Sequence, residues 1–207
     1  MNIASLVSLV KGEPVFSSAL LEVAGTRATT MRAQLARWVR TGRLIQLRRR
    51  LYVLSATYRG IEPHPFLIAN RLQPGSYVSF QSALAFRGLI PEHVPTVTSA
   101  STGRPCSYDN PFGHFQFRHI RKTLFCGYER VEVATGQFAL IAVAEKALID
   151  LLYITPRSDA AGYAEELRLQ SPETFDLDRL QSMASQTGSH KVRRAVRRVC
   201  SVLEGSA

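Results

Sequence analysis

The stretch that decides the fold is SSALLEVAGTRATTMRAQLARWVRTGRLIQLRRRLYVL, Ser17 to Leu54. Ser17 is a suitable N-cap for a short helix over Ser17–Ala24, and Gly25 a suitable left-handed stop. After a turn, Thr29 or Thr30 caps a second helix that runs to Thr41 and closes on Gly42. Within it Met31, Leu35, Trp38 and Val39 form one apolar stripe at helical spacing. The opposite face carries Arg32, Ala33, Ala36, Arg37 and Arg40. Small alanines between arginines let a helix approach base edges closely, while the guanidinium groups reach guanine or phosphate. Leu44–Leu47 and Leu51–Leu54 then read as two short strands around a basic tip, Arg48-Arg49-Arg50. Helix, turn, helix and basic hairpin is the order of a winged helix-turn-helix. Its second helix enters the major groove, and its wing follows the backbone or probes the minor groove. A small helical domain with a solvated arginine face is the competing reading.

Charge supports the first reading. The 207-residue chain carries 26 basic and 16 acidic residues, a formal net charge of +10. Only Lys11, Lys122, Lys146 and Lys191 are lysines, and arginine favours planar, bidentate recognition of phosphate and guanine. Between Glu22 and Glu62 there is no acidic residue. That gap holds Arg27, Arg32, Arg37, Arg40, Arg43, Arg48, Arg49, Arg50 and Arg59, which nearly account for the whole excess. The expected DNA-binding set is Arg27, Thr29, Thr30, Arg32, Arg37, Arg40, Arg48, Arg49 and Arg50.

The length suggests two unequal domains: a winged helix-turn-helix over residues 1–57 and a larger α+β domain over 65–207. The segment Ala56–Pro65, with Gly60, Pro63 and Pro65, is the expected linker. Beyond it, Pro65–Leu72 reads as a helix, Ser76–Phe80 as a strand and Gln81–Arg87 as a helix ended by Gly88. Thr96–Ser101, the alternating His114–Ile120, Leu124–Cys126 and Arg130–Val133 read as strands. Helices are expected over Ala142–Leu152, Asp159–Leu169, Asp176–Ser185 and His190–Leu203. The fold class is thus mixed α/β, with several helices at the end.

The chemistry of the second domain is sparse. G-x-x-x-x-G-K-[ST], H-E-x-x-H and G-x-S-x-G are all missing, so no catalytic set, cofactor or metal is expected. His114 and His119 should face opposite sides of one strand, a poor metal pair. Asp109, Glu129 and Glu132 are the carboxylates a nuclease could gather. Cys106, Cys126 and Cys200 lie far apart, which points to reduced thiols in a cytoplasm. Met1–Leu9 is too short and uncharged for a signal peptide, and no apolar run approaches membrane-spanning length. The last helix keeps Val192, Val196, Val199 and Leu203 on one side. Lys191, Arg193, Arg194, Arg197 and Arg198 cover much of the rest, as a solvated face or as a second basic surface. Such a surface would suit flanking DNA or an acidic partner, and is expected to be continuous with the wing.

Several blocks together resemble the AbiEi-type antitoxins, abortive-infection regulators of bacteria. They are Gly42–Tyr52, Ser79–Leu84, Thr98–Pro105, Phe125–Glu129 and Ala144–Leu152, the last similar to that family's EKAL.DLL segment. In order, they span most of residues 16 to 155. The resemblance implies a type IV toxin–antitoxin component in phage defence. Such a protein represses its own operon at inverted repeats in promoter DNA. Its second domain neutralises a nucleotidyltransferase-like toxin, typically without a stable complex. One departure concerns the wing: the family usually has glycine where this chain has Arg50. Either the hairpin is longer here, or Arg50 sits in ordinary strand conformation. Two other functions remain open, a stand-alone repressor whose second domain senses a ligand and a DNA-targeted nuclease.

Overall fold

Asn2 opens the first helix by accepting a hydrogen bond from Ser5 N at 2.8 Å. In the computed structural model, which describes residues 1–22, 28–92, 94–170 and 175–205, this helix, α1, spans Ile3–Leu9. The sequence reading assigns no element there. Strand β1 (Phe16–Ser17) and helix α2 (Ser18–Glu22) follow, and Ser17 Oγ accepts from Ala19 N at 3.2 Å. Ser17 thus caps the helix as expected while also pairing in a sheet. Gly25 and Arg27 lie outside the described residues, as does the side chain of Thr29.

Helix α3 spans Ala28–Arg40. Its end follows from Gly42, whose φ of 68° is the left-handed value that glycine adopts without strain. Arg43 N then donates back to Trp38 O at 2.9 Å, and Thr41 Oγ1 to Arg37 O at 3.0 Å. Strands β2 (Leu44–Arg48) and β3 (Leu51–Leu54) form an antiparallel hairpin, and β1 pairs with β3 on its other side. Leu6, Phe16, Leu21, Met31, Leu35, Trp38 and Leu44 belong to one core beneath α3 and this three-stranded sheet.

The second unit is built on a six-stranded sheet ordered β6-β7-β5-β4-β9-β8. Helix α4 (Pro65–Leu72) leads into β4 (Ser76–Val78) and α5 (Phe80–Phe86). Next come β5 (Thr96–Ser101), β6 (Cys106–Asn110), β7 (Gly113–His119), β8 (Tyr128–Ala134) and β9 (Gln137–Ala142). Helices α6 (Ala144–Ile154), α7 (Tyr163–Glu166), α8 (Leu177–Gln186) and α9 (His190–Gly205) close the chain. The fold is mixed α/β, with two sheets. Among the described residues no helix is long and apolar enough to cross a membrane.

Two expectations are corrected, and two strands are added. Leu124–Cys126 is not a strand: a 3-10 turn covers Lys122–Leu124. Phe125 then turns its ring onto Tyr77 and Tyr128, with centroids 5.2 and 5.3 Å away. The helix expected over Asp159–Leu169 shortens to Tyr163–Glu166, entered through Gly162. Strands β6 and β9 go unassigned in the sequence reading, because β6 is a polar edge strand and β9 runs into the apolar start of α6.

Under the sheet lies a buried ionic cluster. Lys146 and Asp150, one turn apart on α6, form an ion pair, and Asp150 also accepts from Tyr77 Oη and Ser79 Oγ, each at 2.8 Å. Burial pushes the Asp150 carboxyl upward, while the ammonium and the two hydroxyls pull it back. Burial and the adjacent carboxylate also raise the Tyr77 phenol. Gly127, with φ of 72°, lies on the Lys146 stem: a Cβ there would meet Cγ at 3.0 Å.

The two units are joined by packing as well as by the linker. Val15, Leu47, Leu51 and Val53 are buried in the larger core, together with residues of α4 and the six-stranded sheet. In the linker, Arg59 pairs with Glu62 and lies over the Phe112 ring, 5.4 Å from its centroid.

Candidate nucleic-acid interface

Helix α3 is two-sided because its core demands it. Met31, Leu35 and Trp38 are each no more than 3% exposed, and a helix that buries one stripe presents the opposite one to solvent. Thr30, Arg32, Ala33, Ala36, Arg37 and Arg40 are all exposed. The last turn holds Arg37 and Arg40, where cations complement the helix dipole. The sequence-predicted face is therefore present as one surface from Thr30 to Arg40.

The hairpin adds a second basic element. Pairing runs Leu44↔Leu54, Ile45↔Val53 and Gln46↔Tyr52, then shifts so that Arg48 opposes Leu51. Arg49 and Arg50 form the turn. Arg50 has φ of 68°, so it occupies a left-handed position rather than strand, and the alternative of an ordinary strand conformation is corrected. A turn followed by a left-handed residue is a common hairpin closure, in which glycine is usual. Arg50 is held in place because its carbonyl accepts from Ser18 N at 3.0 Å and its Nε donates to Ser18 Oγ at 3.3 Å. Arg49 and Arg50 are exposed, and Arg48 is half-buried.

The C-terminal cluster is only partly a free basic surface. Lys191 Nζ donates to Tyr153 O at 2.8 Å and Thr155 O at 2.7 Å, closing the end of α6. Burial lowers its pKa, and its charge serves the fold. Arg194 pairs with Asp159 at 2.6 Å, and Arg193 donates to His190 at 3.0 Å. Arg193, Arg194, Arg197 and Arg198 are exposed. Helix α9 packs on α6, α7 and α8, whereas the hairpin packs on β6.

The carboxylates considered for a nuclease are also apart. Asp109 lies on β6 and pairs with His114, while Glu129 and Glu132 lie on β8, at the opposite edge of the sheet. Among the described residues no group of three or more His, Cys, Asp or Glu side chains could hold a metal. The three cysteines are free.

Sequence reasoning misses Arg71 and Asn70 of α4, which line a crevice with the hairpin arginines. Nothing local marks them, since only tertiary packing brings α4 beside the hairpin. It also misses the Lys146–Asp150 pair, for which a signal exists: a Lys and an Asp four residues apart inside the apolar run Ala144–Leu152. Compared with known proteins, the chain matches no family model, and no curated protein matches it significantly.

Proposed function

We propose that the chain is a sequence-specific double-stranded DNA-binding repressor. Its N-terminal unit acts as a winged helix-turn-helix, with α3 as recognition helix and the Arg48–Arg50 turn as wing tip. The observation that carries this reading is the exposed face of α3, with Arg32, Arg37 and Arg40 around Ala33 and Ala36, beside an arginine-tipped hairpin. The arginines can reach base edges, and the alanines permit close approach. The wing arginines suit phosphates, which position a protein without reading sequence.

The resemblance to AbiEi-type antitoxins extends this proposal to autoregulation at inverted repeats and to neutralisation of a nucleotidyltransferase-like toxin by the second unit. One observation favours a second reading, ligand sensing. A cleft of about 580 Å3 between α5, α6 and α7 combines apolar Leu84 and Leu151 with Gln81, Thr96 and Gln116, a mixture that suits small molecules.

Substitution separates the two DNA-contacting roles. Arg32→Ala or Arg37→Ala should cost about 1–3 kcal/mol on the specific site and relax its specificity. Arg48→Ala or Arg49→Ala should weaken all duplexes nearly alike and lower the salt slope by about 1. Competition between operator and scrambled duplexes at two salt concentrations reads both effects. Four variants behaving identically would remove the distinction between helix and wing.

A further inference from the structure

Helices α8 and α9 form a hairpin whose turn passes through Gly188, left-handed with φ of 67°. Their facing sides leave a groove of about 420 Å3. Gln181 and Ser185 of α8 stand on one wall, and His190, Arg193, Arg194 and Arg197 of α9 on the other; all six are exposed. The buried side chains of Ala184 and Val196 form the floor. The groove is held at both ends. Gly188 N donates to Ser185 O at 3.3 Å, and Gln181 Nε2 reaches Cys200 Sγ at 3.7 Å. Charge on the α9 wall is only partly neutralised. Asp159 pairs with Arg194, whereas Arg193 leans on the His190 ring, 3.0 Å from Nδ1, which supplies no negative charge. Among the described residues no carboxylate pairs with Arg193 or Arg197. These two arginines are four residues apart and share one face of the helix.

We infer that this groove docks an extended acidic segment of a partner protein, with acidic side chains at every second position facing Arg193 and Arg197. The inference is independent of the DNA-binding reading. Four residues of helix rise about 6 Å, and two residues of extended chain advance about 6.7 Å, so alternate carboxylates meet the two arginines in register. Arginine holds a carboxylate through two parallel N–H donors. Alternate side chains of an extended chain point to opposite sides, so the intervening ones face Gln181 and Ser185 on the α8 wall. Small-molecule sites bury most of their ligand, whereas exposed walls suit a chain laid along the groove. Packed helices lie about 8–10 Å apart, too close for a duplex to enter between them.

The test uses the full-length protein and a fluorescent peptide of alternating glutamate and serine, with binding followed by anisotropy at fixed ionic strength. The parent should bind it about tenfold more tightly than the same peptide with glutamine in place of glutamate. Arg193→Gln with Arg197→Gln should weaken binding about tenfold, the change that two exposed ion pairs allow. Arg193→Lys with Arg197→Lys should stay within about threefold of the parent. Arg104→Gln with Arg118→Gln removes the same charge from exposed positions on other elements and should leave peptide affinity unchanged. All three variants should melt like the parent, since the side chains are exposed. Equal binding of the glutamate and glutamine peptides overturns the inference. So does an equal loss in the Arg104 and Arg118 pair, which would leave only the net charge at work. A loss in the lysine pair as large as in the glutamine pair overturns it too, since charge would not be what is recognised. Single-stranded RNA of the same length gives the last arm. If it binds the parent more tightly than the peptide and loses that affinity in the Arg193 and Arg197 glutamine pair, the groove takes nucleic acid and the protein assignment fails.

Discussion

At Arg50 a left-handed backbone and a guanidinium occupy one position. The backbone costs an L-residue about 1–2 kcal/mol, partly offset by the hydrogen bond to Ser18. Arg50→Gly should relieve the strain but lose that bond and add freedom to the unfolded chain. The relieved strain offsets part of what is lost. Duplex affinity should fall and become less salt-dependent. A salt titration of duplex affinity checks this, and an unchanged slope would contradict it. The buried pair in α6 behaves oppositely. Asp150→Asn leaves the Lys146 ammonium buried without a counter-charge and should cost about 3–5 kcal/mol. Replacing both residues by apolar ones of similar volume should cost much less. Chemical denaturation of the single and double variants measures the difference, and equal losses would argue against an ion-pair role.

Elements whose pattern closes locally are readable from the chain alone. The stripe Met31, Leu35, Trp38 ending at Gly42 places α3, and the alternation His114–Ile120 places β7 to within a residue. Pro65–Leu72, Thr96–Ser101 and the start of α9 agree with the structure for the same reason. Elements defined by their neighbours are not readable. Strand β6 is polar and exists because β7 pairs with it, from Cys106↔Phe117 to Asn110↔Gly113. Helix α1 depends on the Asn2 cap and on Leu6 meeting the core under α3. The N-terminal arginines of the candidate interface are legible because they are gathered in sequence. Arg71 is not, because only the fold brings it there. The α9 arginines show the converse, a sequence cluster that tertiary contacts divide. Lys191 closes α6, Arg194 pairs with Asp159, and the hairpin packs elsewhere. Changing Arg193, Arg194, Arg197 and Arg198 to glutamine should therefore leave operator affinity and its salt slope unchanged. The same duplex titration checks this, and a shallower slope would show that α9 reaches DNA.

At the scale of the molecule, two cores meet at the hairpin. One face of the hairpin covers the core under α3, through Leu44, Tyr52 and Leu54; the other carries Leu47, Leu51 and Val53 into the larger core. The hairpin is thereby fixed to both units, which would suit the proposed role of a wing beside a recognition helix. The central claim is that this arrangement reads DNA sequence rather than only its charge. The most direct measurement compares the full chain's affinity for the DNA upstream of its own reading frame with that for a scrambled duplex of equal length, at physiological salt. The account predicts at least about 10³-fold tighter binding to the upstream DNA, protected as inverted repeats. Equal affinity for the two duplexes would contradict it, leaving a basic protein that binds phosphate without reading sequence.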